Sequence, residues 1–345
     1  MNNSASYHSG CISLNDQINF PLQEQIQHGE SGQGYVLRMA ALNSLSGLGE
    51  VKKLLGFPTA TLDEQQANNI SRWFGANPER LRYALGTIAY TNEGPTIYGG
   101  HRLSKATFLN RTQPRVCPLC IQDDGLCKLA WDFSLVTTCD KHRMSLVDYC
   151  SSCGKRIQWE RPTVETCRCY SPLSQSQNFH VPHEVEFEFA HWVKLQIQNK
   201  WFDEALRKEA YESLAELKPT SSLMQLLWPL SLDAGLLVAV ALSTASGQAF
   251  DMHESSRRRL NPLQRSQVAL MIANELATQL KERNFSQLHL KSASAVFDLI
   301  STCISHEFSA SDRGFAQSLL ATVLGHYKLQ KWSSATPQLS QLMLF

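Results

Sequence analysis

The segment from Cys117 to Cys153 reads CPLCIQDDGLCKLAWDFSLVTTCDKHRMSLVDYCSSC and holds six of the chain's ten cysteines together with one histidine. Eight of the ten cysteines lie between Cys117 and Cys169, whereas a secreted disulfide framework spreads its cysteines through a small domain. In the cytosol such thiols stay reduced. Reduced cysteines that come in close pairs indicate metal binding.

The candidate ligands form four pairs along the chain: Cys117 with Cys120, Cys139 with His142, Cys150 with Cys153, and Cys167 with Cys169. A short spacer lets both side chains of a pair reach one ion, and a second pair completes a tetrahedron. Thiolate and imidazole donors favour zinc over magnesium or calcium. The pattern predicts two structural zinc ions per chain. The spacing leaves open whether the pairs combine consecutively or crosswise, and Cys127 is a spare thiol that could replace a ligand or simply be buried.

Sites closed by four protein ligands leave no position for a reactive water, so the pattern predicts a structural role and no enzyme activity. The tripeptide His28–Glu30 fits the H-x-E half of the deaminase signature, but Val116 stands where the proline of P-C-x-x-C is required. His183–Glu184 begins like HExxH, yet Phe187 occupies the place of the second histidine. The sequence therefore favours a binding protein over a zinc hydrolase or deaminase.

Short helices are predicted upstream of the cysteines, over SGQGYVLRMAALNSL, GEVKKLLGF, LDEQQANNISRWFG and NPERLRYAL, where apolar residues recur at helical spacing. Gly75 ends the third helix. The fourth begins with Asn77 as its N-cap and Pro78 at its first position. Helices joined by a tight glycine turn permit a helix-turn-helix that reads DNA, and they also permit an ordinary helical bundle.

A basic rim is expected around the cysteine segment. The whole chain has a net charge of only +1, but residues 102–169 hold eleven Lys and Arg against seven Asp and Glu. Such a rim could neutralise phosphates, although a solvated face is the simpler interpretation. The candidate DNA-contacting residues are Arg102, Lys105, Arg111, Arg115, Lys155 and Arg156.

The composition changes near Ser171, where the polar stretch SPLSQSQNF predicts a linker, and helical patterns follow to the C-terminus. We expect a mainly α protein with a helix-turn-helix-like domain over residues 1–110, a tandem zinc-binding module over 111–170 and a helical bundle over 171–345. The longest apolar run, Gly235–Leu242, is too short to span a membrane. The N-terminus has no basic or apolar signal region, so we expect a soluble intracellular protein.

Several stretches together resemble the TniQ family, relatives of the TnsD target selectors of heteromeric transposons. They are GYVLRMA, GGHRLSKATFLNRTQPRVCPLC, WDFSLVTTCDKHRMSLVDYCSSCGK and CRC, which cover about residues 30 to 170. The most specific combination is CPLC, then Trp131, CxxH, Leu146 and CxxC.

The resemblance implies a consecutive partition, with one zinc on the first two pairs and a second zinc on the last two. It also implies a helix-turn-helix-like unit and an adaptor of the bacterial cytoplasm that links a target-recognition device to the AAA+ regulator TnsC. In some transposons this device is a CRISPR Cascade complex with a TniQ dimer, so a homodimer is implied as well. The main alternative is a stand-alone regulator that reads a specific DNA site directly.

Overall fold

The computed structural model describes residues 19–56, 61–87, 96–245, 260–281 and 312–314. These ranges are mostly helical, with ten α-helices and two short β-hairpins, so the prediction of a mainly α protein is confirmed. None of the helices within them is both long and apolar enough to cross a membrane. The helices predicted over residues 292–308 and 314–329 lie outside the described part of the chain, apart from Gly314.

The N-terminal region contains four helices, α1 Gly32–Leu42, α2 Leu48–Leu54, α3 Ala67–Phe74 and α4 Pro78–Leu85. The Ser31 side chain caps α1 by accepting a hydrogen bond from the Gly34 amide. Asn77 caps α4 with Pro78 at the first helical position, as the sequence predicted. Gly75 ends α3 at a φ of 79°, a left-handed conformation that glycine adopts without strain.

The α3–α4 pair has the short glycine-containing turn of a helix-turn-helix, but one side of α4 is covered by the C-terminal region. Tyr83 is buried, and its hydroxyl donates a 2.6 Å hydrogen bond to the carbonyl of Ile197. Its ring lies 5.0 Å from the ring of Trp201, centroid to centroid, in an edge-on contact. This side of α4 is therefore packed inside the molecule and is not presented to a DNA groove.

Two antiparallel hairpins frame the start of the cysteine segment: β1 Thr96–Tyr98 with β2 His101–Leu103, and β3 Thr138–Cys139 with β4 Met144–Ser145. The first turns through Gly99 and Gly100, whose φ angles of 57° and 74° both suit glycine. Between the hairpins, α5 Pro118–Asp123 forms a helical turn and a half. Each strand has only two or three residues, too few to show an alternating pattern in the sequence.

The C-terminal region contains α6 Glu184–Gln198, α7 Glu204–Glu216, α8 Ser222–Leu227, α9 Leu232–Ala245 and α10 Pro262–Lys281. Helix α10 packs on α6, α8 and α9, while α6 also contacts α7. Helix α7 was not predicted from the sequence. Its only fully buried residue is Ala210, so it lacks the apolar stripe on which periodicity depends.

The three predicted domains are joined by polar contacts across both expected boundaries. The Gln33 side-chain amide donates to the carbonyl of Arg111 at 3.0 Å, and the Thr137 hydroxyl donates to the buried carboxylate of Glu186 at 2.6 Å. Within the stretch predicted to be a linker, Leu173 is completely buried. The first part of this stretch therefore packs against the molecule. The boundaries at residues 110 and 170 stay a prediction.

Candidate metal centres

The first cluster brings together Cys117, Cys120, Cys139 and His142, whose ligand atoms all lie within 4.8 Å of one another. The Cys120 and Cys139 sulfurs are 3.5 Å apart, and the Nδ1 of His142 lies 3.4, 3.3 and 3.7 Å from the sulfurs of Cys117, Cys120 and Cys139. A tetrahedral zinc ion with Zn–S near ~2.3 Å requires roughly 3.8 Å between sulfurs and roughly 3.5 Å between sulfur and nitrogen. The cluster is compatible with zinc binding.

Local backbone structure positions these four donors. Cys117 is the N-cap of α5 and Pro118 is its first helical residue, so that Cys120 follows about one turn later on the same side. Cys139 ends β3, and the turn to β4 places His142 beside it. Arg143 closes this turn at a φ of 50°, with its amide donating to the carbonyl of Cys139 at 2.9 Å.

Asp123 supports His142 from outside the cluster. Because Nδ1 faces the sulfurs, the Nε2–H of His142 is free to donate to Asp123 Oδ2, which lies 3.0 Å away. Lys141 donates to the same oxygen at 2.7 Å. The pKa of Asp123 is lowered, first by the hydrogen bond from Lys141 and then by that from His142. An ionised carboxylate on the outer ring nitrogen is a common support for a metal-binding histidine.

The second cluster contains Cys150, Cys153, Cys167 and Cys169, again with all ligand atoms within 4.8 Å of one another. The sulfurs of Cys150 and Cys169 are 3.7 Å apart, and those of Cys153 and Cys167 are 3.9 Å apart. These separations match the edge of a zinc tetrahedron and are far longer than a disulfide bond of about 2.05 Å. The structure thus groups the eight residues consecutively and not crosswise.

Two tight turns supply the donors of the second cluster. In the first, the Cys150 amide donates to the carbonyl of Lys155, and the amide of Gly154, at a φ of 64°, donates back to the carbonyl of Cys150, both at 2.9 Å. In the second, the Tyr170 amide donates to the carbonyl of Cys167 at 2.8 Å. This second turn brings two cysteines with a one-residue spacer to the same point.

The protonation chemistry of the first cluster also suits a divalent cation. The pKa of Cys117 is lowered to about 3, because the thiols of Cys120 and then Cys139 donate hydrogen bonds to its thiolate. The pKa of Cys120 is raised in turn by the same interaction. The crowded thiols therefore stabilise one thiolate at the expense of its neighbours. A bound divalent cation would stabilise all of them in the thiolate form.

Cys127 belongs to neither cluster. It is fully buried, and burial raises the pKa of its thiol to about 11. The guanidinium of Arg161, which is itself buried, donates to its sulfur at 3.4 Å and lies over the ring of Trp159. Of the two interpretations that the sequence left open for Cys127, the structure therefore supports the buried thiol.

Two of the six candidate DNA-contacting residues are inside the protein. Arg111 donates to the carbonyl of Leu62 at 2.5 Å, and Arg115 donates to the carbonyls of Ser134 and Val136 at 2.8 Å each. Arg111 and Arg115 are only 4% and 3% exposed. Their guanidinium groups are held by backbone acceptors and do not reach a phosphate, which corrects the prediction at these two positions.

The other four candidates have surface exposure. Arg102, Lys105 and Lys155 are exposed, and Arg156 is partly buried. Arg102 lies in β2 and Lys105 lies two residues after it, whereas Lys155 and Arg156 follow the knuckle of Cys150 and Cys153. Phosphate contact by these residues stays a prediction.

The residues of the deaminase-like tripeptide have another role. Glu30 is completely buried and forms a salt bridge with Arg38, whose Nε and Nη2 lie 2.8 and 2.9 Å from its two carboxylate oxygens. The amide of Gln27 donates to the same carboxylate. Glu30 therefore joins the loop before α1 to the helix itself, and it is not grouped with either cluster.

Comparison with known families adds a further finding. The TniQ family model matches residues 21–146, a range that holds α1 to α5 and the whole of the first cluster. The second cluster, whose first ligand is Cys150, lies beyond the matched range. No curated protein matches the chain.

The match confirms the resemblance that the sequence motifs indicated. TniQ proteins are accessory proteins of DNA transposition without catalytic activity, and the family is associated with the selection of target sites. Over residues 21–146, the chain is similar to the TniQ family.

Proposed function

We propose that this chain is a zinc-stabilised, non-catalytic adaptor for target selection in DNA transposition. It holds a target-recognition complex and the AAA+ regulator TnsC together in the bacterial cytoplasm. The observation that supports this proposal most directly is the family match over residues 21–146, which contains a complete four-donor cluster. In this proposal the chain works by contact, because neither cluster has an open coordination position.

Each cluster binds one structural zinc ion in this proposal. The ligands are Cys117, Cys120, Cys139 and His142 for the first ion, and Cys150, Cys153, Cys167 and Cys169 for the second. Between Val116 and Leu173 the regular structure is limited to α5, one short hairpin and single turns, so two bound ions would hold together loops that few backbone hydrogen bonds connect. The result is a rigid surface that joins the two helical regions.

A pair of exposed apolar side chains supports a role in protein contacts. Phe179 and Val181 are 90% and 82% exposed. The residues between and beside them point inward: the Asn178 side chain donates to the carbonyl of Leu146 at 2.8 Å, and the His180 ring contacts the buried Glu186 at 2.8 Å. The anchored backbone presents both apolar groups to solvent, as expected of a surface that a protein partner covers.

Co-purification tests the adaptor directly. The chain is mixed with the TnsC-type ATPase of its own transposon and with the targeting complex, CRISPR Cascade where the transposon carries one. We expect one complex that contains all three components, with two copies of the chain if it acts as a dimer. A matched variant, Phe179→Ser with Val181→Ser, changes only exposed side chains and should weaken the complex while the zinc content stays the same.

The alternative function, a stand-alone reader of a specific DNA site, predicts the opposite behaviour. Such a protein binds one duplex sequence about 10³–10⁷-fold more tightly than unrelated DNA. The burial of Arg111 and Arg115 and the packing of Tyr83 on the C-terminal region speak against it. Tight binding to one duplex sequence by the chain alone, with no binding to either protein partner, would replace the adaptor proposal.

A further inference from the structure

A polar groove lies beside the second cluster and has no role in the proposal above. Its volume is about 330 Å³, and its lining includes Thr112, Gln113, Arg156, Gln158, Glu160 and Arg168. One wall is the loop that leads into the first cluster. The other walls are residues 156–160, which follow the knuckle of Cys150 and Cys153, and Arg168, which lies between Cys167 and Cys169.

The second cluster determines where the two arginines of the groove stand. Arg156 pairs with Tyr149 across the hairpin that contains Cys150 and Cys153. Arg168 is the single residue between Cys167 and Cys169. A metal ion held by these four cysteines would therefore fix the backbone of both arginines with respect to each other.

The guanidinium groups are available for a ligand. Arg156 donates through Nε to the hydroxyl of Tyr149 at 2.8 Å, and within the described residues its two Nη nitrogens make no hydrogen bond. Arg168 makes one long contact, 3.5 Å from Nη1 to the side chain of Gln158. The negative charge in the groove, Glu160, is already paired with Lys52 at 3.2 Å. The Asp148 carboxylate attracts Arg156 through space, but within the described residues neither Arg156 nor Arg168 forms a salt bridge.

The chemistry of the groove selects its ligand class. A guanidinium group matches the oxygens of a phosphate with two parallel N–H donors, and neutral amide and hydroxyl groups add further donors. Thr112, Gln113 and Gln158 supply such groups here. Among the lining residues the one apolar side chain is Ile157, which is 1% exposed and offers no apolar pocket for a peptide side chain. The groove is thus suited to a charged backbone and not to an apolar anchor.

We propose that this groove binds the phosphodiester backbone of a nucleic acid, and that the second metal centre serves to position Arg156 and Arg168 for that contact. The proposal rests on the proposed function, since it places nucleic acid within reach of an adaptor for target selection. Contacts to phosphate carry no sequence information, so binding is weak and independent of sequence. The contact holds the adaptor on DNA that another component has selected.

The test uses the full zinc-loaded chain and two unrelated 30-base-pair duplexes labelled for fluorescence anisotropy, titrated between 50 and 200 mM salt. We expect both duplexes to bind with equal affinity. The double variant Arg156→Gln with Arg168→Gln should keep two zinc ions, lose about tenfold or more in affinity at low salt, and reduce the slope of log K against log salt by about 1.8, the value for two phosphate contacts.

A charge-matched control separates the groove from general electrostatics. Arg207→Gln with Lys218→Gln removes two positive charges from exposed positions on and after α7, far from the groove in sequence and absent from its lining. This control should keep the wild-type affinity and slope. Equal losses of DNA affinity in the control and in the groove variant would overturn the proposal. Polyglutamate that displaces the labelled duplex as well as unlabelled duplex does would also overturn it.

Metal dependence gives a second measurement. Cys153→Ser disrupts the second cluster and should lower DNA affinity as far as the double arginine variant does, whereas the double arginine variant leaves the cluster intact. If the arginine variant binds DNA as the wild type does, the proposal is wrong even when Cys153→Ser misfolds. The adaptor proposal is tested separately, because binding to the TnsC-type ATPase should be unchanged in the double arginine variant.

Discussion

Asp123 offers the sharpest test of how the first cluster is built. Its carboxylate lies 3.0 Å from the outer ring nitrogen of His142 and shares the same oxygen with Lys141. This contact holds the imidazole with Nδ1 toward the three sulfurs and makes Nδ1 a more basic ligand for a metal ion. Asp123→Ala removes the contact, and Asp123→Asn keeps an acceptor of the same shape but without the charge.

The expected effect is a loss of zinc affinity at one site only. Removal of such an outer partner typically costs about 10–100-fold in metal affinity. The Asp123 side chain is 44% exposed and also serves Lys141, so solvent replaces part of the interaction and we expect about tenfold for alanine. Asparagine should fall between alanine and the wild type, because it still accepts a hydrogen bond from the ring.

Competition with a chromophoric zinc chelator measures this change, since two sites of different affinity release their ions in separate steps. One step should shift in the Asp123 variants and the other should stay in place. Asp124→Asn is the matched control: the neighbouring carboxylate pairs with Lys128 at 2.7 Å and does not reach His142. An Asp123→Ala chain with both steps unchanged within twofold, or a shift of equal size in Asp124→Asn, would refute the reasoning.

Three further predictions concern stability and pH. Gly235→Ala should lower the free energy of unfolding by about 1–3 kcal/mol in chemical denaturation, because the new Cβ would lie 2.4 Å from the ring of Trp192. Gly49→Ala is the control, because its Cβ has room in α2, and it should be neutral or stabilise the fold by up to ~1 kcal/mol. Burial lowers the pKa of His101 to about 4 from 6.5, so the unfolded chain takes up the proton at a higher pH than the folded chain does. The free energy of unfolding should therefore fall by ~1–2 kcal/mol, from this residue alone, as the pH drops from 7 to 5. His101→Gln should flatten that slope in urea titrations at each pH, and a slope equal to the wild type would contradict the assignment. Cys127→Ser should lower the melting temperature and leave two zinc ions on the chain; loss of an ion would make Cys127 a ligand after all.

The parts of the fold that depend on short-range spacing were predictable from the sequence. The knuckle of Cys117 and Cys120 and the cap formed by Asn77 and Pro78 each involve residues within a few positions of one another, so their geometry follows from local rules. The end of α3 at Gly75 follows in the same way. The family resemblance added the consecutive grouping of the ligand pairs, which the spacing left open.

The features that the sequence did not reveal depend on contacts between distant residues. Arg111 and Arg115 look like surface cations in the sequence, but carbonyl groups of other segments accept their hydrogen bonds in the interior. Asp123 supports a histidine 19 positions away, and no motif marks that relationship. Helix α7 lacks an apolar stripe, although its N-cap Asp203 and its run of strong helix formers were available signals.

The groove beside the second cluster was equally invisible in the sequence. It is formed where the loop around Thr112 meets the two turns that carry Arg156 and Arg168, more than forty positions along the chain. Such juxtapositions are set by tertiary packing. Sequence reasoning could identify the cysteines of the second cluster, but not the surface that their grouping creates.

The zinc content of the purified chain tests the central claim most directly. Native mass spectrometry of the intact protein should show two zinc ions per chain. The single variants Cys120→Ser and Cys153→Ser, one from each cluster, should each retain one ion, because the clusters are separate and consecutive. A wild-type chain that carries fewer than two zinc ions would contradict the account.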